Sequence, residues 1–294
     1  MRFLVLAAPD SWYLRDLVRA AGDRHEIIPA AFSEVEARLT SDSLEVFSGE
    51  HRLHDFDAVI VRTMPPGSLE QVVFRMDCLG RYEATGGVVI NPARAVEAAV
   101  DKFLTSAKLQ AAGITTPRTY VCQTADQAMA AFDSLGGNVV VKPLFGSEGR
   151  GITLLNDEAL ALRAFKMLSQ LGAVLYVQEF IEHEGFDLRL MLIGDRVLAM
   201  RRRNPLDWRT NVSRGATTEA FEPTAEMIAI ARQAADSVGA PLAGVDLLPR
   251  RDGTLYCIEV NAVPGWKALA KAHNTDVARL VLDFVADEVR RKRS

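Results

Sequence analysis

The chain has 294 residues, of which 49% are hydrophobic and 24% are charged, and its formal net charge is -4. This length predicts a large core divided into two or three lobes, and the composition is ordinary for a soluble globular protein. The small negative charge argues against a general binder of nucleic acids or membrane surfaces, and no apolar run is long enough to span a bilayer. The cysteines are odd in number and lack metal-ligand spacing, and the N-terminus lacks a signal-peptide pattern. These features predict a cytoplasmic protein.

Residues 1–97 alternate between strand patterns and helix patterns. Predicted strands cover residues 3–8, 27–30, 57–62 and 88–90, and predicted helices cover residues 11–21, 33–38 and 68–85. In the last of these helices, Ser68 and Gln71 have the spacing of a capping box. Strands that alternate with helices favour a parallel, doubly wound α/β sheet, so this segment is predicted to be an N-terminal domain.

Residues 98–294 are predicted to form two α+β lobes, residues 98–182 and residues 183–294. The central lobe has predicted strands at residues 118–122, 138–142, 152–155 and 173–179, and predicted helices at residues 101–112, 124–135 and 157–171. The C-terminal lobe is predicted to be an antiparallel sheet with strands at residues 187–193, 196–203 and 243–248 and a last strand that starts at residue 255. Its predicted helices cover residues 223–238 and 275–290.

Two apolar strands of the C-terminal lobe carry acidic side chains. Asp246 lies in G-V-D-L-L, and Glu259 and Asn261 lie in I-E-V-N-A. Residues two apart in a strand point to the same face, so Glu259 and Asn261 should point together. A carboxylate in an apolar strand is costly to bury unless a cation pairs with it. Carboxylate and amide oxygens are the ligands of magnesium held against a nucleotide, so these residues predict a metal site.

A glycine-rich loop, G-S-E-G-R-G at residues 146–151, follows the strand V-V-V-K-P directly. Its glycines allow the backbone to approach a phosphate closely, and Lys142 at the strand end can meet that phosphate as a point charge. The spacing is that of neither a Walker loop nor a dinucleotide fingerprint, and a plain glycine hairpin is the alternative.

Taken together, the motifs follow a characteristic order. Lys102 lies in D-K-F, and after it come V-V-V-K-P, G-x-x-G-x-G, Q-E-F-I, D-x-R, R-x-N, G-V-D and E-V-N-A-x-P-G. This order resembles the ATP-grasp superfamily and, within it, the RimK-like glutamate ligases, from about residue 101 to the C-terminus. The resemblance implies an ATP-grasp fold with an N-terminal pre-ATP-grasp domain. It also implies ATP and Mg²⁺ as cofactors, with Mn²⁺ as an alternative metal.

The resemblance further implies roles for single residues. Lys102 and Lys142 match lysines on the nucleotide phosphates, Glu179 and Phe180 match the hinge that holds adenine, and Asp187 matches an acid near the ribose. The full nucleotide-binding set is Lys102, Lys142, Gly146, Ser147, Glu148, Gly149, Gly151, Gln178, Glu179, Phe180, Ile181, Asp187 and Asn211. The implied metal ligands are Asp246, Glu259 and Asn261, and the implied catalytic residues are Arg189, Arg201 and Arg209.

Single residues also have plainer interpretations. Lys102 could be a surface lysine, and residues 201–203 could be a solvated strand in which Arg202 faces away from its neighbours. Trp208 and Trp266 could stack on a substrate or could simply pack.

The activity implied is ATP-dependent ligation of a carboxylate to an amine through an acyl phosphate, with L-glutamate as the amino acid added. The expected partners are small-molecule amino-acid and carboxylate substrates and no nucleic acid or membrane, and a homo-oligomer remains open. Two stretches depart from the pattern: Ala216 stands where a second glycine is common, and A-V-P-G-W at residues 262–266 lacks the serine that many relatives have before the proline. The expected acceptor is a small molecule or a peptide. Residues 65–77 resemble enzymes that make C1-carrier coenzymes such as tetrahydromethanopterin, which suggests a coenzyme of this type as the acceptor. An ATP-binding regulatory protein of synapsin type and an ATP-grasp kinase are the alternatives.

Overall fold

The structure is a computed structural model that describes residues 1–146 and 149–294. The strands of these residues form four sheets. Two of the sheets belong to the first hundred residues, one to the central lobe and one to the C-terminal lobe. Among the described residues no helix has the length and apolar character needed to cross a membrane.

The N-terminal sheet is parallel and has helices on both faces. Its strands run in the order β2-β1-β6-β7 and are β1 (Arg2–Leu6), β2 (Glu26–Ala30), β6 (Ala58–Val61) and β7 (Val89–Ile90). Because side chains alternate along β1, Phe3 and Val5 pack on the side of α1 (Trp12–Ala21), and Leu4 and Leu6 pack on the side of α2 (Leu69–Ala84). The doubly wound prediction is confirmed. Ser68 and Gln71 form both hydrogen bonds of the predicted capping box.

A small antiparallel sheet in this region was not predicted. It consists of β3 (Val35–Leu39), β4 (Leu44–Ser48) and β5 (His51–Arg52). The helix predicted over residues 33–38 is therefore wrong, and only a single 3₁₀ turn, Phe32–Glu34, precedes β3. The sequence V-E-A-R-L alternates apolar and polar residues, which is a strand period and not a helix period.

The central sheet is antiparallel and is covered by helices on one face. Its order is β10-β9-β11-β8, and the strands are β8 (Thr119–Cys122), β9 (Val139–Lys142), β10 (Thr153–Leu155) and β11 (Leu175–Glu179). Val141 and Val177 lie in one core with side chains of α5 (Ala125–Ser134) and α6 (Glu158–Gln170). Alternation therefore leaves Lys142, Tyr176 and Gln178 on the opposite, helix-free face.

The C-terminal sheet has five antiparallel strands in the order β14-β13-β12-β15-β16. They are β12 (Phe186–Ile193), β13 (Arg196–Arg203), β14 (Thr217–Phe221), β15 (Leu242–Pro249) and β16 (Leu255–Asn261). One face, with Leu190, Val245 and Val260, shares a core with α7 (Ala225–Val238). The other face carries the polar residues of the candidate site. β14 was not predicted from the sequence.

Four further helices connect these sheets. They are α3 (Ala93–Val100), α4 (Lys102–Ala111), α8 (Lys267–His273) and α9 (Val277–Arg293). Of these, α3 and α8 were not predicted, and the predicted domain boundary between residues 97 and 98 falls inside α3. Residues of α9 share a core with residues of α1, so the end of the chain returns to the N-terminal sheet. Asp276 and Arg19 pair across this contact at 2.7 Å.

Candidate active site

A β-bulge directs the predicted metal ligands toward one face of the C-terminal sheet. Asp246 lies opposite Glu259, but the next residue on β15, Leu247, lies opposite Cys257, so Ile258 is an extra residue in β16. Cys257 points into the apolar core. In a regular strand Glu259, two residues later, would point to the same apolar face of the sheet. The extra residue therefore moves Glu259 to the face of Asp246, and Asn261 follows on the same face.

Asp246 is buried in a chain of alternating charges. Arg189 donates from Nε and Nη2 to its two carboxylate oxygens at 2.5 and 2.7 Å, and Arg202 lies 2.8 Å from one of them. Arg202 also donates to both oxygens of Asp187 at 2.6 Å, and the hydroxyl of Thr210 donates to Asp187 at 2.6 Å. Burial alone would raise the pKa of Asp246, but the effect of the two arginines is larger and lowers the pKa to about 2. Asp246 is therefore ionised at neutral pH.

This chain of charges gives Asp187 a different place from the one expected. Asp187 is 2% exposed and both its oxygens are bonded to Arg202 or Thr210, so the carboxylate is not free to contact a ribose. The geometry instead makes Asp187 a residue that holds Arg202 against Asp246.

Arg201, predicted as catalytic, lies on the wrong face of the sheet. Across β12 it pairs with Leu188, which is a core residue, and its guanidinium bonds Glu219 at 3.0 Å. It also lies 5.0 Å from the ring centroid of Phe186. Arg202, which the sequence interpretation assigned to the opposite face from its neighbours, is the arginine that reaches the site. The signal was available, since the two-residue hairpin pairs Ile193 with Arg196 and this register places Asp187 opposite Arg202.

The two predicted phosphate lysines approach the same acids from the central lobe. Lys102 is the first residue of α4 and donates to the carbonyl of Gly146 at 2.9 Å, and Lys142 donates to Gln178 Oε1 at 2.6 Å. Burial lowers the pKa of both lysines, that of Lys142 to about 8, and the nearby Glu259 carboxylate opposes this shift in each case. Lys102, Lys142 and Glu259 therefore lie near enough to interact electrostatically, and the space that they border is called the cleft.

The glycine-rich loop is in contact with a loop of the C-terminal lobe. Gly146, Gly149 and Gly151 have φ values of 137, 71 and 73°, a region that L side chains rarely adopt. A Cβ on Gly149 would lie 2.5 Å from Asn211 Oδ1, so only glycine fits against this predicted nucleotide residue. Ser147 and Glu148, which were also predicted to bind nucleotide, lie outside the described residues.

Arg209 joins the same two loops. It bonds Asp207 at 2.6 Å and donates to the carbonyl of Ile152 at 3.4 Å. The structure thus places Arg209 at the edge of the cleft beside the glycine-rich loop, and its catalytic role stays a prediction. Asn204, a buried residue that was not singled out from the sequence, accepts from two backbone N–H groups and donates to two carbonyls, which fixes the shape of this loop.

The predicted adenine hinge follows β11. The Glu179 carboxylate accepts from the backbone N–H and the Nε of Arg118 at 2.8 and 2.7 Å, so its side chain is already engaged. Phe180 packs edge-on against Trp208 with ring centroids 5.7 Å apart, and Ile181 is buried. Adenine recognition by residues 179–181 stays a prediction. Because the Glu179 side chain is engaged, the backbone N–H and C=O groups of these residues would form the hydrogen bonds to the base. Trp266 is fully buried, which decides in favour of packing for that residue.

The donor set fits a magnesium ion that also binds phosphate. The Glu259 carboxylate has no hydrogen bond or ion pair with the described residues, although Glu259 is half-buried and lies near two lysines. No group of three histidine, cysteine or acidic side chains that could hold a metal occurs in residues 1–146 and 149–294. Both carboxylate oxygens of Asp246 are bonded to Arg189 or Arg202, so this predicted ligand is not free to bind a metal. Glu259 with the Asn261 amide could therefore hold Mg²⁺ only together with phosphate oxygens, which is how this ion usually binds nucleotides.

The fold and site together define a class of protein. Two antiparallel sheets, one with lysines and one with acids, meet at a cleft under a glycine-rich loop, as in ATP-grasp ligases. Among solved structures, the chain is similar to the ATP-grasp ligase PsnB complexed with minimal precursor, Mg and ADP. The TM-score is 0.77 at 21% identity, over 98% of this chain and 97% of that one. An ATP-grasp RimK domain protein from Sphaerobacter thermophilus gives a TM-score of 0.74 at 24% identity, over 97% and 99% of the two chains.

Sequence comparisons identify the family. Residues 99–285 match the RimK-like ATP-grasp domain. The chain is 30% identical over 289 residues to the tetrahydromethanopterin:alpha-L-glutamate ligase of Methanococcus maripaludis, covering 96% of this chain and 97% of the relative. The corresponding ligase of Methanocaldococcus jannaschii is 33% identical over 245 residues, which is 81% of this chain and 82% of the relative. The chain belongs to the RimK-like ATP-grasp family and is an enzyme that forms a C–N bond.

Proposed function

We propose that this protein adds L-glutamate to a carboxylate of a C1-carrier coenzyme of the tetrahydromethanopterin type, with ATP as the energy source. The observation that carries the proposal is the meeting of Lys102 and Lys142 with the Glu259 carboxylate in one cleft. The names of the two archaeal relatives support the substrate class, and both align along most of the chain. The similarity of residues 65–77 to enzymes for such coenzymes points the same way.

The reaction has two steps. A carboxylate oxygen of the acceptor attacks the γ-phosphorus of ATP, the bond to the β-phosphate oxygen breaks, and ADP leaves. The amino group of glutamate then attacks the acyl carbon, phosphate departs, and the ammonium proton is lost to solvent. When bound, Mg²⁺ supplies neutralisation of the phosphate charge.

The side chains of the cleft contribute position and charge. Lys102 and Lys142 bind the phosphates as cations and stabilise the negative charge that develops on the leaving ADP. Arg189, held by Asp246, is a fixed cation on the acid-bearing face and can stabilise the acyl phosphate. The glycine-rich loop covers the nucleotide and excludes water from the acyl phosphate. Because little covalent chemistry falls to the protein, orientation supplies much of the rate.

The nucleotide-binding set and the metal ligands are part of the same proposal. Mg²⁺ is the proposed metal, with Mn²⁺ able to substitute for it, and the reaction is placed in the cytoplasm. In support of a reducing compartment, Cys78, Cys122 and Cys257 are free thiols in the structure.

The direct test measures ADP and phosphate release with purified protein. Release should require ATP, glutamate and a pterin-type acceptor together, and it should be abolished in Asn261→Ala with the fold intact. Glu222→Gln, which alters an exposed acid outside the cleft, is the control and should keep full activity. ADP release with acceptor alone and a stable phosphorylated product would instead identify a kinase. Binding of ATP without turnover for any acceptor mixture would contradict the ligase proposal.

A further inference from the structure

Arg62, at the end of β6, is a buried cation with no acidic partner in the described part of the chain. It is 5% exposed, and its guanidinium lies 4.9 Å from the ring centroid of Tyr13 and 4.3 Å from that of Trp266. Its Nη2 donates to the carbonyl of Pro264 at 2.8 Å, whereas Nε and Nη1 have no hydrogen-bond partner among the described residues. Burial lowers the pKa of Arg62 to about 10, so the group is still charged at neutral pH. Burial of a charge without a paired acid costs free energy, so we expect the contacts of Arg62 to serve a specific purpose.

The target of Arg62 is the turn that follows the last predicted metal ligand. Asn261 Oδ1 accepts from the backbone N–H of Val263 at 2.8 Å, which ties the orientation of this amide to residues 262–266. Arg62 holds the third residue of that segment, Pro264, from the N-terminal sheet. The bond crosses 202 residues of sequence, so two distant parts of the chain meet at this point.

Two more side chains of the N-terminal sheet region hold the same turn. Asn91, which is 1% exposed, donates from Nδ2 to the carbonyl of Ala262 and to that of Leu242, the latter at 2.6 Å. Trp266 Nε1 donates to Asp16 at 2.8 Å. Residues 262, 264 and 266 are therefore all bonded to the N-terminal domain, on alternate positions of the turn.

The turn also has no spare room. A Cβ on Gly265 would lie 2.4 Å from the hydroxyl oxygen of Tyr13, and one on Gly244, which lies opposite Asn261, would lie 3.2 Å from Pro264. A planar guanidinium can donate to a carbonyl while it stacks on aromatic rings, which a lysine ammonium cannot do.

We propose that Arg62 is a positioning residue that fixes the turn of residues 262–266 and thereby orients the Asn261 amide toward the metal. This inference rests on the proposed function, because it takes Asn261 as a metal ligand. It assigns the N-terminal domain a part in metal binding although none of the predicted metal ligands lies in that domain. The residue acts through Asn261 and does not contact the metal or the nucleotide.

The test uses Mn²⁺ as a paramagnetic probe of the metal site in the ADP complex. Mn²⁺ affinity is measured by electron paramagnetic resonance for the wild type, Arg62→Met and Arg62→Lys, and ADP affinity without metal is measured by calorimetry. Arg62→Met should weaken Mn²⁺ binding by about tenfold or more, the range for residues that orient a metal ligand. ADP binding without metal should not change, because the phosphate lysines lie on the central lobe. Arg62→Lys should recover part of the loss, since its ammonium can still donate to Pro264.

The matched control is Arg75→Met. Arg75 is 6% exposed and also donates to a proline carbonyl, that of Pro65 at 3.0 Å, but this contact lies wholly within the N-terminal domain. Its Mn²⁺ affinity should equal that of the wild type. Folded Arg62→Met with the Mn²⁺ affinity of Arg75→Met would overturn the proposal. If Arg62→Met does not fold, Arg62→Lys decides, and an affinity equal to that of the control would again overturn it. Unchanged Mn²⁺ affinity in Asn261→Ala would instead reject the metal assignment of the proposed function.

Discussion

At the scale of single residues, the site divides into charges that neutralise one another and charges that do not. Arg189, Asp246, Arg202 and Asp187 form a buried set with equal numbers of positive and negative groups. Such a set is costly to bury and gains little net stability, but removal of one member would leave a buried charge unpaired. Glu259, Lys102 and Lys142 lie outside this set. They are the charges left to interact with a metal and phosphates.

Lys142 should make nucleotide binding depend on pH above about 8, where a lysine with an ordinary pKa would still be fully charged. Burial lowers its pKa to about 8, so the free enzyme loses this cation above that pH, and bound phosphate raises the pKa again. ATP affinity should therefore fall by about tenfold per pH unit above this pKa, with proton uptake on binding. Calorimetry in two buffers of different ionisation enthalpy measures both quantities.

The control for this prediction uses two arginine substitutions. Lys142→Arg keeps its charge at all accessible pH values, so the fall in affinity above pH 8 should disappear. Lys166→Arg, at an exposed position of α6, should leave the wild-type profile unchanged. A profile that is the same in Lys142→Arg and the wild type would show that another group titrates.

At the scale of elements, local patterns predicted most helices and strands. The strand β3 was missed although its alternation is visible in the sequence, whereas the features of the site that were missed depend on longer-range contacts. Capping residues and apolar alternation were enough for α2 and for the strands of the central sheet. The bulge at Ile258 could not be predicted, because an extra residue in a strand is visible only against its partner. The choice between Arg201 and Arg202 needed the register of β12 against β13. Arg62 could not be assigned a role, because its partner Pro264 is 202 residues away.

The glycine-rich loop provides a prediction at this scale. Gly149→Ala places a Cβ 2.5 Å from Asn211 Oδ1, so the loop must move away from the C-terminal lobe. ATP binding should weaken by about fivefold, corresponding to about 1 kcal/mol. Gly172 has nearly the same φ, 70°, but nothing within 4 Å of an added Cβ, which makes Gly172→Ala a matched control for backbone strain.

Gly172→Ala should lower the free energy of unfolding by about 1 kcal/mol and leave ATP affinity unchanged, because the strain is local. Urea unfolding and calorimetric titration with ATP measure the two effects separately. Equal ATP affinities in the two variants would mean that contact between Gly149 and Asn211 has no part in nucleotide binding.

At the scale of the whole molecule, each region contributes one part of the cleft. The central lobe brings the predicted phosphate lysines, the C-terminal sheet brings the acids and Arg189, and the N-terminal region holds the turn behind Asn261. Composition and motif order predicted the first two contributions. The third could not be predicted because its hydrogen bonds go to backbone carbonyls, which leave no pattern in the sequence. In the proposed site, the N-terminal domain therefore positions a metal ligand and is not only a flanking fold.

In the proposed reaction, this cleft joins a carboxylate to an amine through an acyl phosphate. The most direct measurement uses an acceptor whose carboxylate carries ¹⁸O at both oxygens, together with ATP and L-glutamate, and mass spectrometry of the phosphate released. We expect one ¹⁸O atom in each phosphate, because the carboxylate oxygen that attacks the γ-phosphorus leaves with it when the amide forms. Turnover to the amide with unlabelled phosphate would contradict it.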